Sequence, residues 1–188
     1  MKTDRVYLNN NGVGREKALE QIECFCNYND FIGKDRIYLR LLTEELVGMV
    51  LEIGGEFDAE FWIENDNKAC RLCLEAEMNL MNSKKRDTFI NISTSGKNAS
   101  INGIMSRIRD VVERYMVKDR ENIDTYFSNS QNKDWTLNGY KTYVSKNKNS
   151  RQDEWDELEK SIIANLADDV TVGVRDHSVM VIIKKTLS

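Results

Sequence analysis

Two neighbouring carboxylates, Glu44 and Glu45, stand in the middle of the most apolar stretch of this 188-residue chain. A carboxylate held in apolar surroundings is suited to taking a proton as a general base. Its more ordinary role on a helix is to pair with a nearby cation, here Arg36 or Arg40, or with solvent. Arg40, Glu44, Gly48 and Glu52 recur every fourth residue, so on a helix they stack along one face. That stripe joins polar side chains to one bare backbone position and is expected to border a groove or solvent. Glu44 is therefore the candidate catalytic residue. Arg40, Gly48 and Glu52 are the candidates for lining a ligand groove.

Other chemistry-bearing residues are weaker candidates. Cys24-x-Cys26 and Cys70-x-x-Cys73 invite a zinc reading. A structural zinc site needs four converging ligands. The first pair falls on a predicted helix and the second on a predicted strand, and in each the two thiols face different ways. They are expected to be buried small apolar residues, with no metal. His177, the single histidine, sits in a predicted tight turn without a nucleophile or acidic partner and is expected to be inert. Lys84-Lys85-Arg86 and the run from Lys146 to Arg151 read either as solvated loops or as a patch for an anionic ligand. Trp135, Tyr140 and Tyr143 read either as packing on the sheet or as a partner-binding surface.

The elements that position these residues follow from periodicity. Arg36 to Ile53 carries Ile37, Tyr38, Leu39, Leu41, Leu42, Leu46, Val47, Met49, Val50, Leu51 and Ile53, which predicts a central helix covered on most sides. Gly54-Gly55 is expected to end it. Before it, Arg5 to Leu8 suggests an edge strand and Arg15 to Cys26 a helix. After it, Phe57 to Glu64 and Cys70 to Met78 alternate as an antiparallel hairpin turning at 65–68. Phe89 to Ile92 suggests a short strand, and Ile101 to Tyr115 an amphipathic helix. Residues 119–133 read as a loop or a short helix. Asn138-Gly139 between β-favouring runs predicts a second hairpin, Trp135 to Leu137 with Tyr140 to Val144. Ser150-x-x-Asp153 resembles a capping box opening one helix through Leu166. A last hairpin, Asp168–Val174 with Ser178–Lys184, turns at 175–177, and its second strand is apolar on both faces and belongs in mid-sheet.

Length and composition set the outer bounds. One domain over residues 1–188 is expected, long enough to bury a real core. The pattern is α+β: a two-layer sandwich with a mostly antiparallel or mixed sheet covered on one face by about three helices. A formal charge of −4 argues against nucleic acid. Proline is absent, so no helix is broken by it and no linker is proline-rich. The first residues lack the apolar run of a signal peptide, and no stretch approaches the ~20 apolar residues of a membrane span. A cytoplasmic protein with reduced thiols is expected.

The succession helix, central helix with Leu42-Thr43-Glu44, hairpin, insert, helix and final hairpin resembles the histidine-kinase-like ATPase (GHKL, Bergerat) fold, nearest to the bacterial anti-sigma-factor serine kinases. The resemblance covers roughly 15–78 and 151–185 and leaves 79–150 as a divergent middle segment. In that family a Glu on the central helix assists phosphoryl transfer and an Asn four residues later holds Mg²⁺. Glu44 stands at the first position and Gly48 at the second. The family's Asp-x-Gly-x-Gly turn has no counterpart, since no Gly lies between Glu56 and Ser95. None lies between Tyr140 and Val172, where the family wraps phosphate with backbone N–H groups. The resemblance implies a degenerate member that keeps the scaffold. It would serve as a regulatory module for a protein partner, bound at the groove edge or through 119–150, or for a second copy, without ATP held in the family manner. The alternative it implies is an active ATP- and Mg²⁺-dependent anti-sigma-type serine/threonine kinase. Glu44 would then be the base, and loop Lys or Arg would hold the phosphates.

Overall fold

A computed structural model describes residues 1–53, 57–66, 69–77, 104–117, 134–147, 151–175 and 178–187. In chain order the elements are β1 (Val6–Asn9), α1 (Arg15–Tyr28), α2 (Gly33–Glu52), β2 (Asp58–Asp66), β3 (Ala69–Glu77), α3 (Ile104–Val117), β4 (Trp135–Thr136), α4 (Leu137–Lys146), α5 (Gln152–Lys160), α6 (Ile162–Leu166), β5 (Asp169–Arg175) and β6 (Ser178–Thr186). The six strands form one sheet in the order β1-β2-β3-β6-β5-β4, and every described pairing is antiparallel. The fold is therefore α+β, with several helices and an antiparallel sheet. The apolar β6 lies between β3 and β5, in the interior of the sheet as its sequence predicts. No described helix is long and apolar enough to cross a membrane.

Alternation along the strands decides which face is covered. Ala59, Phe61 and Ile63 of β2, Leu72 and Leu74 of β3, and Val179, Val181 and Ile183 of β6 point into one core with α1, α2 and α3. Leu39, Leu42, Leu46 and Val50 of α2 meet them at spacings of three and four, the repeat of one helix face. Each such side chain contributes about 1.5–3 kcal/mol on leaving water. Thr43 is the polar residue within that face, and its hydroxyl donates to the Leu39 carbonyl at 2.8 Å, so nothing polar is left unsatisfied there. On the opposite sheet face Trp62 lies under Arg5 and Lys2, whose cationic groups stand 4.3 and 4.6 Å from the ring centroid. Arg5 also bridges Glu60 and Glu75 across β2 and β3.

Three expectations need correction. The central helix is covered on about half of its circumference, not most of it. Leu39, Leu42, Thr43, Leu46, Val47, Met49 and Val50 are buried, whereas Ile37 is exposed and Leu41 half-buried. The Asn138-Gly139 hairpin is a helix. Leu137, Tyr140 and Val144 share a face by i, i+3, i+7 spacing, and Leu137 and Val144 are fully buried. Thr136 caps that helix by accepting from the Gly139 N–H at 3.1 Å, which puts Asn138-Gly139 in the first turn of α4. The helix expected from 150 through Leu166 is two helices. Ser161 is extended and accepts from the Ala164 N–H at 3.2 Å, so it caps α6 and breaks the run. The expected elements at 54–56, 67–68, 78–103, 118–133 and 176–177 lie outside the described residues.

One glycine is fixed by sterics. Gly14 precedes α1 with φ of 81°, and a Cβ there would sit 1.8 Å from the Tyr7 carbonyl oxygen. Gly14→Ala is expected to cost more than about 2 kcal/mol, because left-handed backbone and a backbone clash add. Urea denaturation of the two proteins checks this; an unchanged midpoint would place the β1–α1 turn elsewhere.

Candidate functional site

The outward half of α2 is where the predicted site residues meet. Successive helix residues turn by about 100°. Ile37, Arg40, Leu41, Glu44, Glu45, Gly48 and Glu52 therefore share the arc facing away from the core, and none of them is buried. The burial of the other arc against the sheet holds this one in place.

Ion pairs run along both ends of the arc. Arg40 Nε donates to Glu44 Oε1 at 3.0 Å, and its Nη1 donates to Glu23 Oε1 of α1 at 3.1 Å. Glu23 also accepts from Arg36 Nε at 2.9 Å. That hydrogen bond from Arg36 is the main reason the Glu23 carboxyl titrates below its usual range. At the far end Arg109 of α3 donates to Glu52 Oε2 at 3.0 Å. Glu44 and Glu52 are thus each matched to an arginine. Sequence spacing gives the Arg40–Glu44 pair directly. Arg109 and Glu23 were missed, because no local pattern links residues so far apart in the chain.

Gly48 lies between these pairs, and a Cβ built on it meets nothing within 4 Å. Among the described residues, the space beside it is open. Glu45 borders the same arc and is half-buried. Its carboxyl is pushed up from the usual value first by burial, then by the charges of Glu52 and Glu44. Of the two adjacent carboxylates it is therefore Glu45 whose surroundings favour the neutral form. Sequence gave no reason to separate them.

The remaining candidates do not join this site. Cys24 is exposed while Cys26 is buried in the core. Cys70 lies on the core face of β3, and Cys73 is buried on the opposite face. Burial pushes the Cys26 thiol up to about 11 and those of Cys70 and Cys73 to about 12, which disfavours the thiolate that metal binding or nucleophilic attack requires. Among the described residues no three His, Cys, Asp or Glu stand together as metal ligands. Lys84-Lys85-Arg86 and His177 lie outside the described residues. Lys146 is exposed, and Arg151 is engaged by Glu154 at 2.6 Å.

Trp135 and Tyr140 pack against the core, 6.0 Å apart between ring centroids, and Tyr143 is exposed. Glu154 ties this corner together. It accepts from Arg107 at 3.0 Å and from the Tyr140 hydroxyl at 3.1 Å, as well as from Arg151. With Arg109 on Glu52 and Arg107 on Glu154, α3 is anchored to α2 and to α5.

No protein-family model matches the chain, and no curated protein or solved structure matches it.

Two predictions follow from the open arc. Gly48→Ala is expected to stabilise the protein by up to about 1 kcal/mol, since it adds helix propensity without a clash; a lowered thermal midpoint would show that the space is filled. Glu45→Gln tests the carboxyl. A raised folded-state pKa means the native protein holds its proton more tightly than the unfolded chain. The ionised form therefore weakens the fold at neutral pH, and the loss disappears as pH falls below the unfolded carboxylate value of about 4.3. Glu45→Gln is expected to be more stable than the parent at pH 7 and to lose that advantage near pH 4. Parallel melts across this range check the sign.

Proposed function

We propose that the chain is a regulatory protein-interaction module on a histidine-kinase-like sandwich, and that it does not hold ATP as that family does. One observation carries the reading. Glu44, at the position of the resembled family's base, is bound by Arg40, and Arg40 is shared with Glu23. Gly48, at the position of the Mg²⁺-binding Asn, offers no side chain. The order α1, α2, β2–β3 hairpin, insert with α3 and α4, α5–α6, β5–β6 hairpin supports the scaffold part of the reading. Exposed apolar side chains at the start of α2 support the interaction part; Ile32 and Ile37 are 79% and 55% exposed. The partner is a protein and not nucleic acid or membrane, and the work is cytoplasmic signalling of bacterial type.

A second reading is kept by one observation. The open space beside Gly48 and the half-buried Glu45 would suit an active serine/threonine kinase that uses Mg²⁺-ATP. Thermal denaturation with Mg²⁺-ATP separates the two. A ligand at ~100 times its dissociation constant adds about 2.7 kcal/mol to a protein that binds it only when folded. No shift is expected. A shift of that size, with phosphate transfer lost in Glu44→Gln or in Glu45→Gln, would establish the kinase instead.

A further inference from the structure

We infer that α2 is the contact element of a two-fold self-association, in which it packs antiparallel on α2 of a second copy. The inference goes beyond the functional reading above and does not depend on whether nucleotide binds.

Three features of the outward arc point to a helix as its occupant. The first is shape. Ile37 is 55% exposed on the middle line of the arc, and eleven residues on, three helical turns away on the same line, Gly48 leaves a space that no described side chain fills. A protruding apolar side chain and a hole on one helix face are complementary to a copy of themselves turned end for end. Turning α2 about its own midpoint, between Leu42 and Thr43, brings Ile37 of one copy opposite Gly48 of the other, with both helices overlapping along their full length of 20 residues.

The second feature is charge. The cations of the arc, Lys34 and Arg40, lie in the N-terminal half of α2, and the anions Glu44, Glu45 and Glu52 lie in the C-terminal half. In the same antiparallel register Lys34 comes near Glu52 of the second copy, and Arg40 near Glu44 of the second copy. Each pair lies on the same flank of the contact line, as antiparallel helix packing requires. A parallel arrangement would stack acid on acid at one end and base on base at the other, which costs free energy. The separation of charge along the helix therefore favours the antiparallel direction.

The third feature is the apolar surface continuing past the helix start. Ile32 is 79% and Tyr28 77% exposed, and both lie just before α2 in the chain. Without a covering partner, three large apolar residues within ten positions remain in water. A single helix pair about 30 Å long lies at the low end of specific interfaces, below about 1,200 Å². The association is therefore a reversible one in the micromolar range and not a permanent dimer.

Sedimentation equilibrium of the full chain, over roughly a hundredfold range of concentration, is the test. Doubling of the mass at the upper end is expected, and both Ile37→Asp and Gly48→Leu are expected to weaken it by about tenfold or more. Ile37 is exposed and a Cβ at Gly48 meets no described atom, so circular dichroism is expected to show each variant folded. The register is read in a Cys24→Ser background, which removes the exposed native thiol. Chains carrying Ile37→Cys, mixed with chains carrying Gly48→Cys, are expected to be joined by a short bismaleimide into mixed dimers. A chain that stays monomeric throughout overturns the inference. So does a dimer indifferent to both substitutions, or cross-linking only between like variants. Nucleotide binding is read separately by thermal shift: a monomer with no ATP shift overturns this inference and leaves the functional proposal standing, and a dimer that ATP dissociates refutes the functional proposal and leaves this one standing.

Discussion

The structure depends on one burial: the apolar half of α2 laid across the central strands of the sheet. Leu39, Leu42, Leu46 and Val50 are essentially inaccessible to water, and they share one core with Phe61, Leu72, Leu74 and Val181, which are equally so. Alternation on the strands and three-four spacing on the helix allow this fit in only one rotational setting of α2. Thr43 lies inside that interface at little cost because its hydroxyl bonds back to its own helix. Once the inner arc is fixed, the outer one has no freedom. Arg40, Glu44, Gly48 and Glu52 face away from the sheet because the leucines face it.

Electrostatics then act on an arc that packing has already placed. The Arg40–Glu44 pair is exposed and the Arg109–Glu52 pair exposed on its glutamate side, and solvent-exposed pairs contribute little to stability, typically about 0–1 kcal/mol each. Their larger effect is on what the arc can do chemically. An arginine at hydrogen-bond distance keeps Glu44 occupied as an acceptor. Glu45, one residue on and turned toward partial burial, sits instead among carboxylates. The residue in the better position for a base by alignment with the resembled family is thus not the residue with the more perturbed environment. The same arginine pairs link α1 and α3 to α2, so the two flanks of the arc and its charges are set by the same side chains.

Sequence made the regular parts of this fold legible and missed the parts where two signals compete. The central helix, the β2–β3 and β5–β6 pairs and the interior place of β6 rest on long, consistent periodicities. Asn138-Gly139 failed as a hairpin signal because a local turn preference of a few tenths to about 1 kcal/mol was outweighed. Two fully buried side chains, Leu137 and Val144, and a Thr136 cap favour the helix. Ser161 was hidden in the opposite way, as a polar residue inside a run that reads as continuous helix. At the site, the Arg40–Glu44 spacing was legible because i, i+4 neighbours touch on any helix. The Arg109–Glu52 pair joins residues 57 apart in the chain, and no one-dimensional pattern encodes it.

A nucleotide, as in the kinase reading, and a second α2 would compete for one surface. Helices in contact lie about 8–10 Å apart axis to axis, which leaves no room for a nucleotide between them. The outward arc of α2 can border a ligand groove or seat a second α2, but not both at once. The residues lean toward the helix. A phosphate site needs converging N–H donors and cations that are free to turn toward it. Here Arg40 is spread over Glu44 and Glu23, and Arg109 is given to Glu52. A helix partner asks less: a hole, a knob and charges separated along the axis. Gly48, Ile37 and the split between Lys34–Arg40 and Glu44–Glu52 supply these without moving any group from its present bond. Gly48, a bare position with no side chain to offer a ligand atom, is well suited to letting another backbone come close.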